Sequence, residues 1–148
     1  MPARPGSPSS TSSRILLVDD NANGLSARRC VLEELGHRIT TASSAAEALE
    51  HFAASRFDLV ITDFKMPRMD GVELIVRVRK QSPHIPVILL SGFVDALGLS
   101  EANTGADVVI QKSANEVAHL VRSVGRLLRS AKKPNQPGGR PKSRRKAG

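Results

Sequence analysis

The stretch VITDFKMPRMDG, residues 60–71, decides the fold class of this chain. Its first residues are apolar at consecutive positions, as in a parallel strand that is covered on both faces. The run ends on the acidic residue Asp63, and a proline, a second aspartate and a glycine follow within eight residues. Such a composition is typical of a loop that leads into a helix. The pattern therefore predicts a buried strand that ends on a bare carboxylate at the edge of a sheet.

Other short runs rich in Val, Ile and Leu have the same pattern. The strong runs are RILLV (14–18), DLVIT (58–62), PVILL (86–90) and DVVI (107–110), and a weaker one, HRITTA (37–42), suits an edge strand. Segments with helical spacing of apolar residues separate these runs. Five strands that alternate with five helices predict an open parallel sheet, covered by helices on both faces and joined by right-handed crossovers.

Capping residues delimit the predicted helices. The first helix, residues 23–35, stops before Gly36 and has a predicted buried face of Ala27, Val31 and Leu35. Capping pairs are predicted at the starts of three others: Ser44 with Glu47, Asp70 with Glu73, and Ser113 with Glu116. Residues 95–103 form a poorer helix, because Gly98 interrupts them.

Composition bounds the class of protein. The chain has 148 residues, of which 40% are hydrophobic and 24% are charged, as in a globular domain. No apolar run approaches the roughly 20 residues of a membrane span, and the N-terminus lacks the apolar segment of a secretory signal. We therefore expect a cytoplasmic protein without membrane contacts. The single cysteine, Cys30, is expected to be a small core residue.

The formal charge of +8 is concentrated at one end of the sequence. Seven of the 22 basic residues lie in residues 131–148, which contain no acid, whereas the stretch between residues 14 and 130 is balanced. We expect disordered segments at residues 1–13 and 131–148 around one folded domain, residues 14–130. The basic tail is expected to give at most weak contact with nucleic acid. Because only 18 residues follow Ser130, we expect no output domain.

Polar residues stand directly after four of the predicted strands. Asp19 and Asp20 follow the first strand and Asp63 the third, while Ser91 and Lys112 follow the fourth and the fifth. In open parallel sheets the carboxyl ends of the strands share one edge, and ligands bind there. The sequence therefore predicts that three carboxylates, a hydroxyl and an ammonium converge.

Three ionised carboxylates at close range need a counter-charge. A divalent cation supplies it, and oxygen ligands without a nearby histidine or cysteine favour Mg²⁺. Lys112 offers a point charge to a phosphate oxygen, and Ser91 offers a hydroxyl donor. A carboxylate aimed at a phosphate in such a site can act as a nucleophile and form an acyl phosphate.

These motifs resemble those of the receiver domain of bacterial two-component response regulators, of the stand-alone, CheY-like kind. The matching motifs are VDD (18–20), ITDFKMPRMDG (61–71), LLSG (89–92) and GADVVIQK (105–112). The resemblance covers residues 14–130. It implies the flavodoxin-like receiver fold, a doubly wound α/β structure whose five-stranded parallel sheet has the order 2-1-3-4-5 with five helices.

The resemblance also implies a role for each site residue. Asp63 would be the phosphoacceptor, supplied by a sensor histidine kinase or a histidine phosphotransfer protein, and Ser91 and Lys112 would bind the phosphoryl group. The implied Mg²⁺ ligands are Asp19, Asp20, Asp63 and the backbone carbonyl of Lys65. Asp63 and Lys112 would catalyse only the protein's own phosphoryl transfer and dephosphorylation, so the protein would not be an enzyme. Output would run through contacts with a downstream protein.

Two positions depart from the family pattern and keep an alternative open. Ser113 stands where a proline usually follows the lysine, so we expect a trans bond between Lys112 and Ser113. Val109 replaces the aromatic switch residue. The alternative function is a receiver-fold interaction module whose phosphorylation is vestigial. A phosphatase with an aspartate nucleophile would have a second carboxylate where Lys65 stands, and a dinucleotide-binding protein would have a glycine-rich turn after the first strand.

Overall fold

Five parallel strands form one sheet in the order β2-β1-β3-β4-β5, as the resemblance implies. The computed structural model describes residues 12–132, so the predicted disordered segments lie almost wholly outside the described residues. The strands are β1 (Arg14–Val18), β2 (Arg38–Ala42), β3 (Leu59–Asp63), β4 (Val87–Ser91) and β5 (Val108–Gln111). The helices in the described range are α1 (Ala22–Glu34), α2 (Ala45–Ala54), α3 (Gly71–Gln81), α4 (Val94–Leu97), α5 (Glu101–Thr104) and α6 (Glu116–Lys132).

Successive residues of each central strand supply two separate apolar layers. Leu16 and Val18 of β1 face α2 and α3, whereas Ile15 and Leu17 face α1 and α6. All four side chains are at most 1% exposed. Burial on both faces explains why the strand sequences are apolar at consecutive positions. Each fully buried side chain of this size stabilises the fold by roughly 1.5–3 kcal/mol relative to an exposed one.

The predicted starts of α2 and α3 are confirmed. The Ser44 hydroxyl accepts the backbone N–H of Glu47, and a carboxylate oxygen of Asp70 accepts that of Glu73. These bonds pair backbone donors that have no partner within a helix. The predicted helix at residues 95–103 is two single turns, α4 and α5, because Gly98 between them has a φ of +63°.

The predicted capping box of α6 is wrong. Its first helical residue is Glu116, whose carboxylate bonds the side chain of Arg28 rather than the backbone of Ser113. The Ser113 hydroxyl accepts the N–H of Asn115 instead. Glu116 therefore forms a long-range ion pair with Arg28 instead of the local capping interaction that the sequence pattern predicted.

The predicted buried face of α1 is also wrong. Ala27 and Leu35 are exposed and Val31 is half-buried, whereas the inward residues are Leu25, Arg28 and Leu32. The predicted face contained only apolar residues, because an unpaired buried charge would be costly, whereas the structure buries Arg28 with carboxylate partners. Cys30 is exposed rather than part of the core, since it lies on the solvent side of the same helix.

Order in the structure extends slightly beyond residues 14–130. Ser13 is buried and its carbonyl accepts the N–H of Arg38, and α6 runs to Lys132. The Lys112–Ser113 bond is trans as expected, since the described residues contain no cis peptide bond. Among the helices of residues 12–132, none is long and apolar enough to cross a membrane.

Candidate functional site: an acidic pocket at the carboxyl edge of the sheet

Sheet pairing continues past the ends of the strands and aligns the site residues. The N–H of Phe64 donates to Leu90 O at 2.7 Å, and the N–H of Lys112 donates to Ser91 O at 2.8 Å. Asp63 and Ser91 are themselves the last residues of β3 and β4, one position later than the sequence pattern predicted. The backbone ladder therefore fixes three site residues side by side on neighbouring strands.

Three carboxylates meet beside this ladder. Asp19, Asp20 and Asp63 each have an oxygen within 4.8 Å of the others, which confirms the predicted convergence. Asp19 and Asp63 are buried, whereas Asp20 is exposed. Asp19 Oδ1 accepts the backbone N–H of Asn21 at 2.9 Å, which holds the carboxylate at the start of α1.

Lys112 lies directly against Asp63. Its Nζ is 2.6 Å from Asp63 Oδ1 and 4.0 Å from Asp19 Oδ2. Burial raises the pKa of Asp63 above its ordinary value, and the ammonium of Lys112 opposes this rise without cancelling it. The nearby charge of Asp19 also raises the pKa of Asp63, while Arg28 lowers it. The carboxylate is thus a buried anion whose charge depends on neighbouring cations.

The loop after β3 folds back without covering Asp63. The N–H of Gly71 donates to Phe64 O at 2.8 Å, which closes the loop, and Arg68 adopts a left-handed φ of 71° within it. A Cβ at Gly71 would lie 2.4 Å from Asp63 O. Only glycine lets α3 begin this close to the end of β3.

The carboxylates line an open pocket of about 530 Å³. Its other lining residues are Asn21, Lys65, Met66, Pro67, Ser91, Gly92, Phe93 and Lys112. Lys65 Nζ lies 5.6 Å from the centroid of the exposed Phe93 ring, within the range of a cation–π contact at the rim. The Ser91 hydroxyl accepts the N–H of Phe93 at 3.0 Å, so the hydroxyl and the rim share one loop. Val109, the position of the missing aromatic residue, is half-buried against the core.

Sequence reasoning missed two residues beside the pocket. Arg28 donates to Asp19 Oδ2 at 2.6 Å and to Glu116 Oε2 at 2.5 Å. The only sequence signal was an arginine on the helical stripe that Leu25 and Leu32 define. The sequence offered no means of naming its partner Glu116, which lies 88 residues away.

Comparison with known proteins identifies the class that this fold and site define. Residues 15–124 match the family described as the response regulator receiver domain. This chain belongs to that family and is a receiver domain of two-component signalling with an acidic pocket formed by Asp19, Asp20 and Asp63. Such domains are generally signalling modules rather than enzymes. The family implies a cognate histidine kinase, and an aspartate triad of this kind is typical of its magnesium sites.

Solved structures and a curated relative agree with this assignment. A CheY-like receiver domain protein from Methanospirillum hungatei superimposes with a TM-score of 0.75 at 30% identity, covering 82% of this chain and 97% of that one. The response regulator TrrA of Thermotoga maritima, solved in complex with Mg²⁺–BeF, superimposes with a TM-score of 0.70 at 34% identity, covering 78% of this chain and 98% of that one. The transcriptional regulator ycf27 of Cyanidium caldarium is 33% identical over 78% of this chain, and the chain spans only 47% of that relative.

Proposed function

We propose that this protein is a phosphoacceptor response regulator in which Asp63 takes a phosphoryl group from a sensor histidine kinase or a histidine phosphotransfer protein. The observation that carries the proposal is the setting of Asp63. Its carboxylate ends a central strand, opens into the pocket, and lies 2.6 Å from the ammonium of Lys112 and within 4.8 Å of oxygens of Asp19 and Asp20. A purely structural aspartate would not need this concentration of charge.

The donor set suits a magnesium ion. The ligands would be Asp19, Asp20, Asp63 and the backbone carbonyl of Lys65, all hard oxygen atoms, and neither histidine nor cysteine is among the described lining residues. When bound, the ion would neutralise the carboxylates and a phosphoryl oxygen. TrrA, a relative with the same fold, binds Mg²⁺ together with BeF, which supports this assignment.

The protein's own side chains divide the phosphoryl transfer between them. A carboxylate oxygen of Asp63 attacks phosphorus while the phosphorus–nitrogen bond of the donor phosphohistidine breaks, and the imidazole leaves with the electron pair and takes up a proton. Lys112 holds Asp63 ionised before the attack and then donates to a phosphoryl oxygen. Ser91 rotates its hydroxyl from the N–H of Phe93 toward the phosphoryl group. Catalysis here consists mainly of alignment and charge stabilisation.

Output then runs through protein–protein contacts on the surface of α4, α5, β5 and α6. Apolar side chains stand exposed on this part of the molecule: Phe93 at 51%, Leu97 at 54% and Val117 at 47%. The Gln111 side chain bonds both Gly92 O and Val94 N, so β5 holds the segment that follows Ser91. Movement of Ser91 toward a phosphoryl group pulls directly on this segment. Hydrogen exchange with and without beryllofluoride tests the idea, and unchanged rates over residues 92–105 would contradict it.

A second candidate is a receiver-fold interaction module whose phosphorylation is vestigial. Val109 favours it, because a half-buried valine in the core cannot act as a rotating aromatic switch. The two candidates differ in chemistry, so a phosphorylation assay separates them.

The deciding experiment is incubation with acetyl phosphate and Mg²⁺, followed by intact-protein mass spectrometry. We expect one acid-stable, base-labile phosphoryl group, which is lost in Asp63→Asn and after chelation of the metal. Asp70→Asn is the matched control, since Asp70 lies in the same loop and asparagine caps a helix as well as aspartate does. Equal labelling of Asp63→Asn and wild type would disprove the assignment of Asp63.

A further inference from the structure

A buried arginine links the acidic pocket to the last helix. Arg28 is 8% exposed, and its guanidinium joins Asp19 at the end of β1 to Glu116 at the first residue of α6. Burial alone lowers the pKa of an arginine, but the hydrogen bonds to Glu116 and Asp19 outweigh burial and raise the pKa of Arg28. The residue is therefore a permanent cation inside the domain.

The backbone of α1 leaves space for this ion pair. Gly24 lies one turn before Arg28, and a Cβ at Gly24 would be 3.0 Å from both Arg28 Nη1 and Asp19 Oδ2. A Cβ at this position would therefore require the guanidinium or the carboxylate to move by a few tenths of an ångström. Glycine is a poor residue for a helix, so the space that it leaves explains its presence in α1.

Both oxygens of Asp19 already have donors. Oδ1 accepts the N–H of Asn21 at 2.9 Å, and Oδ2 accepts Arg28 at 2.6 Å. A cation that draws on Asp19 must share these oxygens with a guanidinium of the same sign of charge. The two cations therefore oppose each other's binding to the carboxylate.

We propose that Arg28 is a positioning residue that competes with the divalent cation for Asp19 and, through Glu116, couples occupancy of the metal site to the start of α6. This inference rests on the proposed function, because it takes the acidic pocket as a magnesium site. In the metal-free protein, Arg28 ties β1 and α1 to α6. Binding of a cation weakens the bond to Asp19 and leaves Arg28 with Glu116, so the restraint on the first turn of α6 changes. Coupling of this kind is reciprocal, and removing Arg28 must alter the affinity for the cation.

The first measurement is Mg²⁺ affinity by isothermal titration calorimetry on the full chain. We expect Arg28→Met to bind Mg²⁺ about tenfold more tightly than wild type, which corresponds to about 1.4 kcal/mol. Gly24→Ala keeps the arginine but crowds its bond to Asp19, and we expect a smaller tightening. The matched control is Arg29→Met, which removes the neighbouring arginine of an exposed pair with Glu33 and should leave the affinity unchanged.

The second measurement is hydrogen exchange over residues 113–120 with and without Mg²⁺. The exchange rates should respond to the metal in wild type and Arg29→Met and should not respond in Arg28→Met. Glu116→Ala cuts the link while leaving Arg28 on Asp19, so it should lose this response without binding Mg²⁺ more tightly. A purely structural role for Arg28 would alter the melting temperature but not this pattern.

The outcomes separate this inference from the proposed function. Absence of Mg²⁺ binding by wild type would overturn both. If wild type binds Mg²⁺ and Arg28→Met and Gly24→Ala bind it with equal or weaker affinity, the competition alone is overturned. If the response of residues 113–120 survives in Arg28→Met and Glu116→Ala, the coupling is overturned. If Arg28→Met does not fold, Gly24→Ala decides the competition and Glu116→Ala decides the coupling.

Discussion

Gly71→Ala should destabilise the protein and disturb Asp63, although alanine is the better helix residue. A Cβ at this position would lie 2.4 Å from Asp63 O, 2.8 Å from Leu89 Cδ1 and 3.1 Å from Phe64 Cα. Two of these atoms belong to the backbone and cannot rotate away. Overpacking of this kind lowers the free energy of unfolding by roughly 1–3 kcal/mol, and we expect about 2 kcal/mol. For a domain of this size, that corresponds to about 8 °C in Tm.

Urea unfolding followed by far-ultraviolet circular dichroism measures the change, since the chain has no Trp or Tyr to report by fluorescence. Gly92→Ala is the matched control, because nothing lies within 4 Å of a Cβ at Gly92. The labelling of Asp63 by acetyl phosphate should slow in Gly71→Ala as the carbonyl of Asp63 shifts. If the free energies of unfolding of Gly71→Ala and Gly92→Ala both lie within about 0.5 kcal/mol of the wild-type value, the close approach of α3 to β3 is wrong.

Three further variants test the charges and caps. Without a divalent cation, Asp63→Asn should have a higher Tm than wild type at neutral pH, because burial raises the pKa of Asp63 and the folded state carries its charge at a cost. The difference in Tm should vanish as the pH is lowered, since the Asp63 carboxylate of wild type then takes up the proton. Asp107→Ala leaves the N–H of Val87 unpaired and should lower the urea-derived stability by about 1–3 kcal/mol. Ser100→Ala removes the cap of α5 and should cost about 1 kcal/mol, seen as faster hydrogen exchange over residues 98–105.

The fold could be predicted from sequence because its strands are covered on both faces. Continuous apolar runs identify such strands, and the polar residues after them identify the carboxyl edge of the sheet. The strand ends could be predicted only to within one residue. Asp63 and Ser91 are polar, so the apolar pattern stops before them, although the ladder of hydrogen bonds includes them. Hydrophobicity therefore marks the core, whereas backbone pairing determines the end of a strand.

The acidic pocket could be predicted, but its link to α6 could not. Asp19, Asp20 and Asp63 follow strands whose order along the edge is fixed by the fold, so their meeting follows from topology. The pairing of Arg28 with Glu116 depends on how α1 and α6 pack on the same face, and helix spacing alone carries no information about that. The same lack of information about helix packing explains why the predicted inward face of α1 and the predicted cap of α6 are wrong. In both cases a local rule failed where a buried charge found a distant partner.

The structure divides the acidic pocket into a rigid half and a weakly held half. Asp63 and Lys112 extend the sheet ladder, so their positions are set by the most deeply buried part of the core. The segment at residues 92–105 has only two single helical turns. The Gln111 side chain of β5 bonds the backbone of Gly92 and Val94, and the Glu101 carboxylate accepts the N–H of Val109 in β5. An element with so little helix of its own is held by these few bonds and can change its arrangement at small cost. Under the proposed function, the phosphoryl chemistry belongs to the rigid half and the signalling to the other half. Ser91, where β4 ends and this segment begins, connects them.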